Sequence, residues 1–143
     1  MSDIESIRGW LRTCPVINEN SPFMVDYLDD DPKCYAIYSS PSQIEYKRDI
    51  LGNVYPSSVQ TKTYYFQVSL AASESASIMT GNLEALNSMI EWMQLQNMEK
   101  NLPEIPGSRV LSLVPTMTPY AMQPNSNSML YRITMQMTYR KES

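Results

Sequence analysis

Leu130-Tyr131-Arg132-Ile133-Thr134-Met135-Gln136-Met137-Thr138-Tyr139-Arg140 alternates almost without fault. Tyr131, Ile133, Met135, Met137 and Tyr139 fall on one parity, and Arg132, Thr134, Gln136, Thr138 and Arg140 on the other. Successive strand side chains point to opposite faces, so the stretch reads as a strand with one covered and one polar face. A covered face requires a cover, and the residues upstream supply candidates for it.

Thr61–Ala71 carries the same pattern, with Tyr64, Phe66, Val68 and Leu70 apolar and Thr63, Gln67 and Ser69 opposite. Tyr65 interrupts it and is a candidate contact residue. Asn82 suits an N-cap, and Leu83, Leu86, Ile90 and Met93, widened by Met89 and Trp92, form an apolar helical stripe that should cover a sheet. Ala72–Gly81 before it reads as a loop, and Asn101-Leu102-Pro103 as the exit. A first helix is expected over Asp3–Thr13, opened by the capping box Ser2–Glu5 and closed by Pro15. Phe23–Leu28, Cys34–Ser39 and Ile44–Leu51 are candidate strands, the second buried on both faces or at an interface. Gly52-Asn53 is a hairpin-type turn pair, extended into a loop through Ser58, and Pro106-Gly107 is another turn. Arg109–Thr116 is apolar on both faces and reads as a central strand, followed by a long hairpin loop over Thr118–Ser128. The order predicts one α+β domain over residues 1–143, a mostly antiparallel sheet covered on one face by two helices.

Composition excludes more chemistry than it suggests. The chain has 143 residues, 43% of them apolar, a formal net charge of −4, and no histidine. Without histidine the commonest general base and the usual metal ligand are missing. The glycines at 9, 52, 81 and 107 cannot form a phosphate-cradling loop. Cys14 and Cys34 make neither a zinc site nor a disulfide framework, and with no apolar signal segment they are expected as thiols in a cytoplasm. Cys14 also sits at a helix C-terminus, where the dipole disfavours a thiolate. Asp26, Asp29, Asp30 and Asp31 lack the order of a calcium loop and read as a solvated turn. The scattered basic residues do not make a nucleic-acid footprint, and no run approaches the roughly 18 apolar residues of a membrane helix. No catalytic residue, cofactor or metal is expected. The 11 Met and 10 Tyr suit either core filling or adaptable contact surfaces.

Several segments resemble a family of small tailed-phage proteins, often labelled minor capsid protein, that act as tail terminators or tail-completion proteins. They are Ile4–Pro15, ending in Cys14-Pro15; Val25-Asp26-Tyr27-Leu28; Tyr64-Tyr65-Phe66-Gln67-Val68; Glu91-Trp92 with Lys100-Asn101-Leu102-Pro103; and the closing hairpin with Tyr131-Arg132-Ile133 and Tyr139. The resemblance implies a homo-oligomeric, usually hexameric, ring in the virion, at the tail end or neck. Such a ring caps the head-proximal end of the tail tube, stops its polymerisation and meets the neck or head-connector proteins. It is assembled in the host cytoplasm and meets DNA only in transient passage through its channel. A net negative chain suits such a channel.

A ring needs a heterologous interface. The loops Gly52–Ser58 and Thr118–Ser128 are the expected contacts, through Gly52, Asn53, Tyr55, Tyr120, Met122, Asn125 and Asn127, together with Tyr65; simple solvent loops are the alternative. Asp29, Asp30 and Asp31 are expected to face the channel or a basic partner. Other head-tail connector or head-completion proteins share these partners. A reading of a different class is a small metal-binding regulator or enzyme using the acidic run.

Overall fold

The computed structural model describes residues 3–15, 17, 23–25, 34–71, 76–124 and 128–141. In chain order its elements are α1 (Asp3–Leu11), β1 (Phe23–Val25), β2 (Cys34–Ser40), β3 (Tyr46–Arg48), β4 (Val54–Pro56), β5 (Val59–Ala71), α2 (Ala76–Met98), β6 (Ser108–Pro115), β7 (Tyr120–Pro124) and β8 (Ser128–Lys141). The main sheet runs β1-β2-β5-β8-β6, with β7 also on β8. Its pairs are antiparallel except β1 with β2. The fold is α+β, with both helices on one face of this sheet.

The alternating stretch is the sheet's spine. β8 pairs with β5 along the full 13 residues of β5. The register sets Tyr64 opposite Met135, Phe66 opposite Ile133 and Val68 opposite Tyr131. Register partners share a face, so one parity from each strand makes a continuous apolar floor. Every one of these residues is buried, as are Met137 and Tyr139. α1 covers the floor with Ile7, Trp10 and Leu11, and α2 with Leu86, Met89 and Met93. Ile90 and Trp92 pack at the stripe's margin. Leu83, expected on the stripe, falls beyond that margin and is exposed. In β2, Tyr35, Ala36 and Ile37 are all buried, so this strand is covered on both faces there.

Three elements differ from expectation. α2 begins at Ala76 rather than at Asn82, so most of the expected Ala72–Gly81 loop is helix. One internal glycine costs a helix only about 1 kcal/mol, which packing of the later turns offsets. β6, expected as a central strand, pairs only with β8 and is an edge of the chain's sheet. Its two-sided apolarity comes from a bulge. The register jumps between Val110 and Ser112, so Val110 and Leu113, three apart, oppose the buried Tyr139 and Met137. A bulge inserts one residue and shifts the phase of alternation, here at Leu111. Within the expected loop over Thr118–Ser128, Tyr120–Pro124 is strand: β7 continues β6 along the same side of β8, after Thr116 donates its amide to Thr134 O at 2.9 Å. Pro119 precedes it and Pro124 ends it without breaking the pairing, because an edge strand tolerates proline.

The helix exits match the sequence reading, although Ser2 of the capping box lies outside the described residues. At the end of α2 the Asn101 amide donates to Gln96 O at 2.9 Å and the Lys100 amide to Asn97 O at 3.2 Å. This paired closure is a Schellman motif, which needs a left-handed residue at its pivot. Lys100 occupies it at φ 61°. Lys100→Gly should therefore raise stability by about 0.5–1 kcal/mol, measured by urea unfolding, because glycine adopts this conformation without the Cβ clash.

Candidate functional site

β3 and β4 form a separate two-stranded ribbon, residues 46–56, which projects as an arm. The expected strand Ile44–Leu51 contributes only Tyr46–Arg48, and the expected loop after Gly52-Asn53 closes back as β4. The turn itself is as read: Gly52 has φ 87°, a conformation that favours glycine. Asp49 organises the tip. Its carboxylate accepts from the amides of Leu51 and Asn53, each at 2.9 Å, and from Asn53 Nδ2 at 3.1 Å. The Asn53 backbone amide, then its side chain, holds the Asp49 carboxyl below its ordinary range.

The base of the arm is clamped by Gln60. Its Nε2 donates to Glu45 O and Ser57 O, both at 2.8 Å, while its Oε1 accepts from Glu45 N at 2.9 Å. Gln60 is only 4% exposed. The sequence reading missed it, yet a signal existed. Gln60 continues the parity of Tyr64, Phe66 and Val68, and a polar residue in an apolar row needs a partner. Gln60→Ala should cost about 1–3 kcal/mol by denaturant unfolding. It should also speed hydrogen exchange in residues 45–57 while α2 stays protected.

A braced arm would bury its apolar side chains if it served the monomer. It does the reverse. Ile50 is 101% exposed and Leu51 84%, with Tyr46, Val54 and Tyr55 each about half exposed. An exposed apolar group of this size, on a ribbon stiffened at both ends, marks a surface for contact with another molecule. Between the arm's base and the end of the sheet lies an open cleft of about 760 Å³, lined by Asp3, Ile44, Tyr46, Pro56, Lys62 and Tyr64 among others. Lys62 Nζ donates to Asp3 Oδ2 at 2.6 Å within it. Burial, then Asp3 and Tyr139, pushes the Tyr64 hydroxyl above its ordinary range, so it is a neutral wall of this cleft.

Of the residues singled out from sequence, Gly52, Asn53 and Tyr55 lie together on the arm. Tyr65 lies elsewhere, on the polar face of the main sheet. The Arg132 guanidinium sits 4.3 Å over its ring, and its hydroxyl accepts from Ser40 Oγ at 3.1 Å. With its amide turned toward Arg132, Gln67 accepts from Nη2 at 2.6 Å and Nε at 3.0 Å. Tyr65 is thus half-buried in a Ser40–Tyr65–Arg132–Gln67 cluster within its own chain. Tyr120 and Met122 belong to β7. Asn125, Asn127, Asp29, Asp30 and Asp31 lie outside the described residues.

Among the described residues, no group of three or more His, Cys, Asp or Glu is placed to hold a metal ion, and no helix is long and apolar enough to cross a membrane. No protein-family model matches the chain, and no curated protein sequence matches it.

Proposed function

We propose that this chain is a structural subunit of a ring that caps the head-proximal end of a phage or phage-like tail tube, stops its polymerisation and joins tail to neck. The observation that carries the reading is the arm. Ile50 and Leu51 stand in solvent on a ribbon braced by Asp49 and Gln60, which suits a heterologous contact between identical subunits. The segment resemblance supplies the tail and the ring; the arm supplies a physical means of closing one. The role is architectural, and it needs no reacting group.

Light scattering on the purified protein, followed by negative-stain imaging with tail tubes, tests the reading. The expected result is a closed ring, alone or seated on one end of each tube. A chain that remains monomeric and ignores tube ends overturns it. Binding to a portal ring but not to tubes would instead favour a head-completion protein.

A further inference from the structure

We infer that the arm of one copy grips the outward stripe of α2 of the next copy, an inference that rests on the ring reading and names its interface. Glu84, Ser88, Glu91, Leu95 and Met98 recur at spacings of four, three, four and three, so they line one stripe of α2. All of them are exposed, on the side opposite Leu86, Met89 and Met93, which face the sheet. The stripe is acidic toward its start and apolar at its end, where Leu95 is 48% and Met98 80% exposed. α2 contains no lysine or arginine.

The arm presents the converse. Tyr46 pairs with Pro56, and Arg48 with Val54, in the ribbon's register. Paired residues share a face, and residues two apart on a strand share it as well. Tyr46 and Pro56 line the cleft, so Arg48 and Val54 lie on the cleft side of the arm too. Lys141 lines the cleft's other wall and is exposed. Lys62 and Asp3 also line this cleft but pair with each other, so this side of the arm joins apolar residues to the cations Arg48 and Lys141, and the α2 stripe joins apolar residues to anions. Placing the stripe against the arm would bury Leu95 and Met98 on the arm's apolar side chains and set Glu84 and Glu91 near Arg48 and Lys141. Such complementarity also selects the partner, since two arms or two helices would bring like charges together.

The contact is heterologous, because arm and helix are different patches of one surface. Repetition closes a ring if the rotation closes. Charge reversal tests it. R48E with K141E, and separately E84K with E91K, should each weaken self-association about tenfold or more, read by light scattering across a concentration series. The chain carrying all four changes should recover to within about threefold of the parent. All four positions are exposed, so circular dichroism and Tm should not move. As a second measurement, a photo-crosslinking residue at Leu51 should join to a peptide within residues 84–98 of a differently tagged copy.

Rings that form equally well with either reversed pair, or a fourfold variant no better than its parts, would overturn this interface while leaving the ring reading intact. Crosslinks from position 51 confined to other segments would do the same. A parent chain that never self-associates, alone or on tubes, overturns both.

Discussion

Trp10→Ala is expected to lower unfolding stability by about 3–5 kcal/mol, the range for deleting a large buried ring. Trp10 is 7% exposed and joins three parts of the fold. As part of α1 it packs onto the sheet. Its ring lies 4.9 Å from that of Trp92 on α2, tilted by 46°, an arrangement that aromatic pairs favour. Its Nε1 donates to Asn101 O at 2.8 Å, across 91 residues of sequence. That carbonyl lies just past the Schellman closure, so the bond ties α1 to the exit of α2. Trp10→Phe keeps most of the apolar area and removes the donor, and should cost about 1–2 kcal/mol beyond any repacking. Urea unfolding followed at the remaining Trp92 separates the two effects. If Trp10→Ala unfolds with the parent's midpoint, the helices are not coupled through this residue.

Changing Ile50 and Leu51 together to serine should leave unfolding stability within about 0.5 kcal/mol of the parent, because both side chains already stand in solvent. Its effect should fall on assembly. Burying a large aliphatic side chain contributes about 1.5–3 kcal/mol, so two of them contribute roughly 3–6 kcal/mol at each contact. Losing that would weaken association at least about 100-fold and yield monomers at micromolar concentration. Light scattering and tube-capping counts provide the measurement. Unchanged rings would place the subunit contact elsewhere and remove the arm from the mechanism. Opposite responses from Gln60→Ala and this pair would be informative, since the first loosens the arm's base and the second alters only its tip.

Much of the fold is legible because β8 and β5 alternate with few interruptions and α2 keeps a helical stripe. These patterns are local, and the buried face they specify is the one observed, from Tyr131 to Tyr139 and from Tyr64 to Val68. The exit Asn101-Leu102-Pro103 was legible for the same reason, since a helix stop depends on neighbouring residues. The misread segments share another property. Whether Val110 and Leu113 face one side depends on a bulge against β8, and a bulge exists only between two strands. Tyr120–Pro124 resembles a loop in composition, but β8 offers it hydrogen-bond partners. The first turns of α2, from Ala76, are not legible locally because Gly81 and its small neighbours have weak helix propensity, which tertiary packing overrides.

The candidate site divides in the same way. Gly52-Asn53 announced a turn, and Tyr55 beside it a contact, from local chemistry alone. Tyr65 looked like a contact because it broke a pattern, whereas the fold spends it on Arg132 and Ser40. Gln60 became visible as a clamp only when Glu45, 15 residues earlier, was brought alongside it. By itself, then, the sequence determined the class of fold, the buried face of its long strands and the turns at Gly52 and Gly107, because each follows from periodicity or from a few adjacent residues. Only the tertiary structure decided that residues 46–56 leave the sheet as a braced arm, that β6 and β7 form one interrupted edge, and that the α2 stripe faces outward. Those outcomes depend on partners distant in sequence, and hydrogen bonding between distant groups is a property of their arrangement in space.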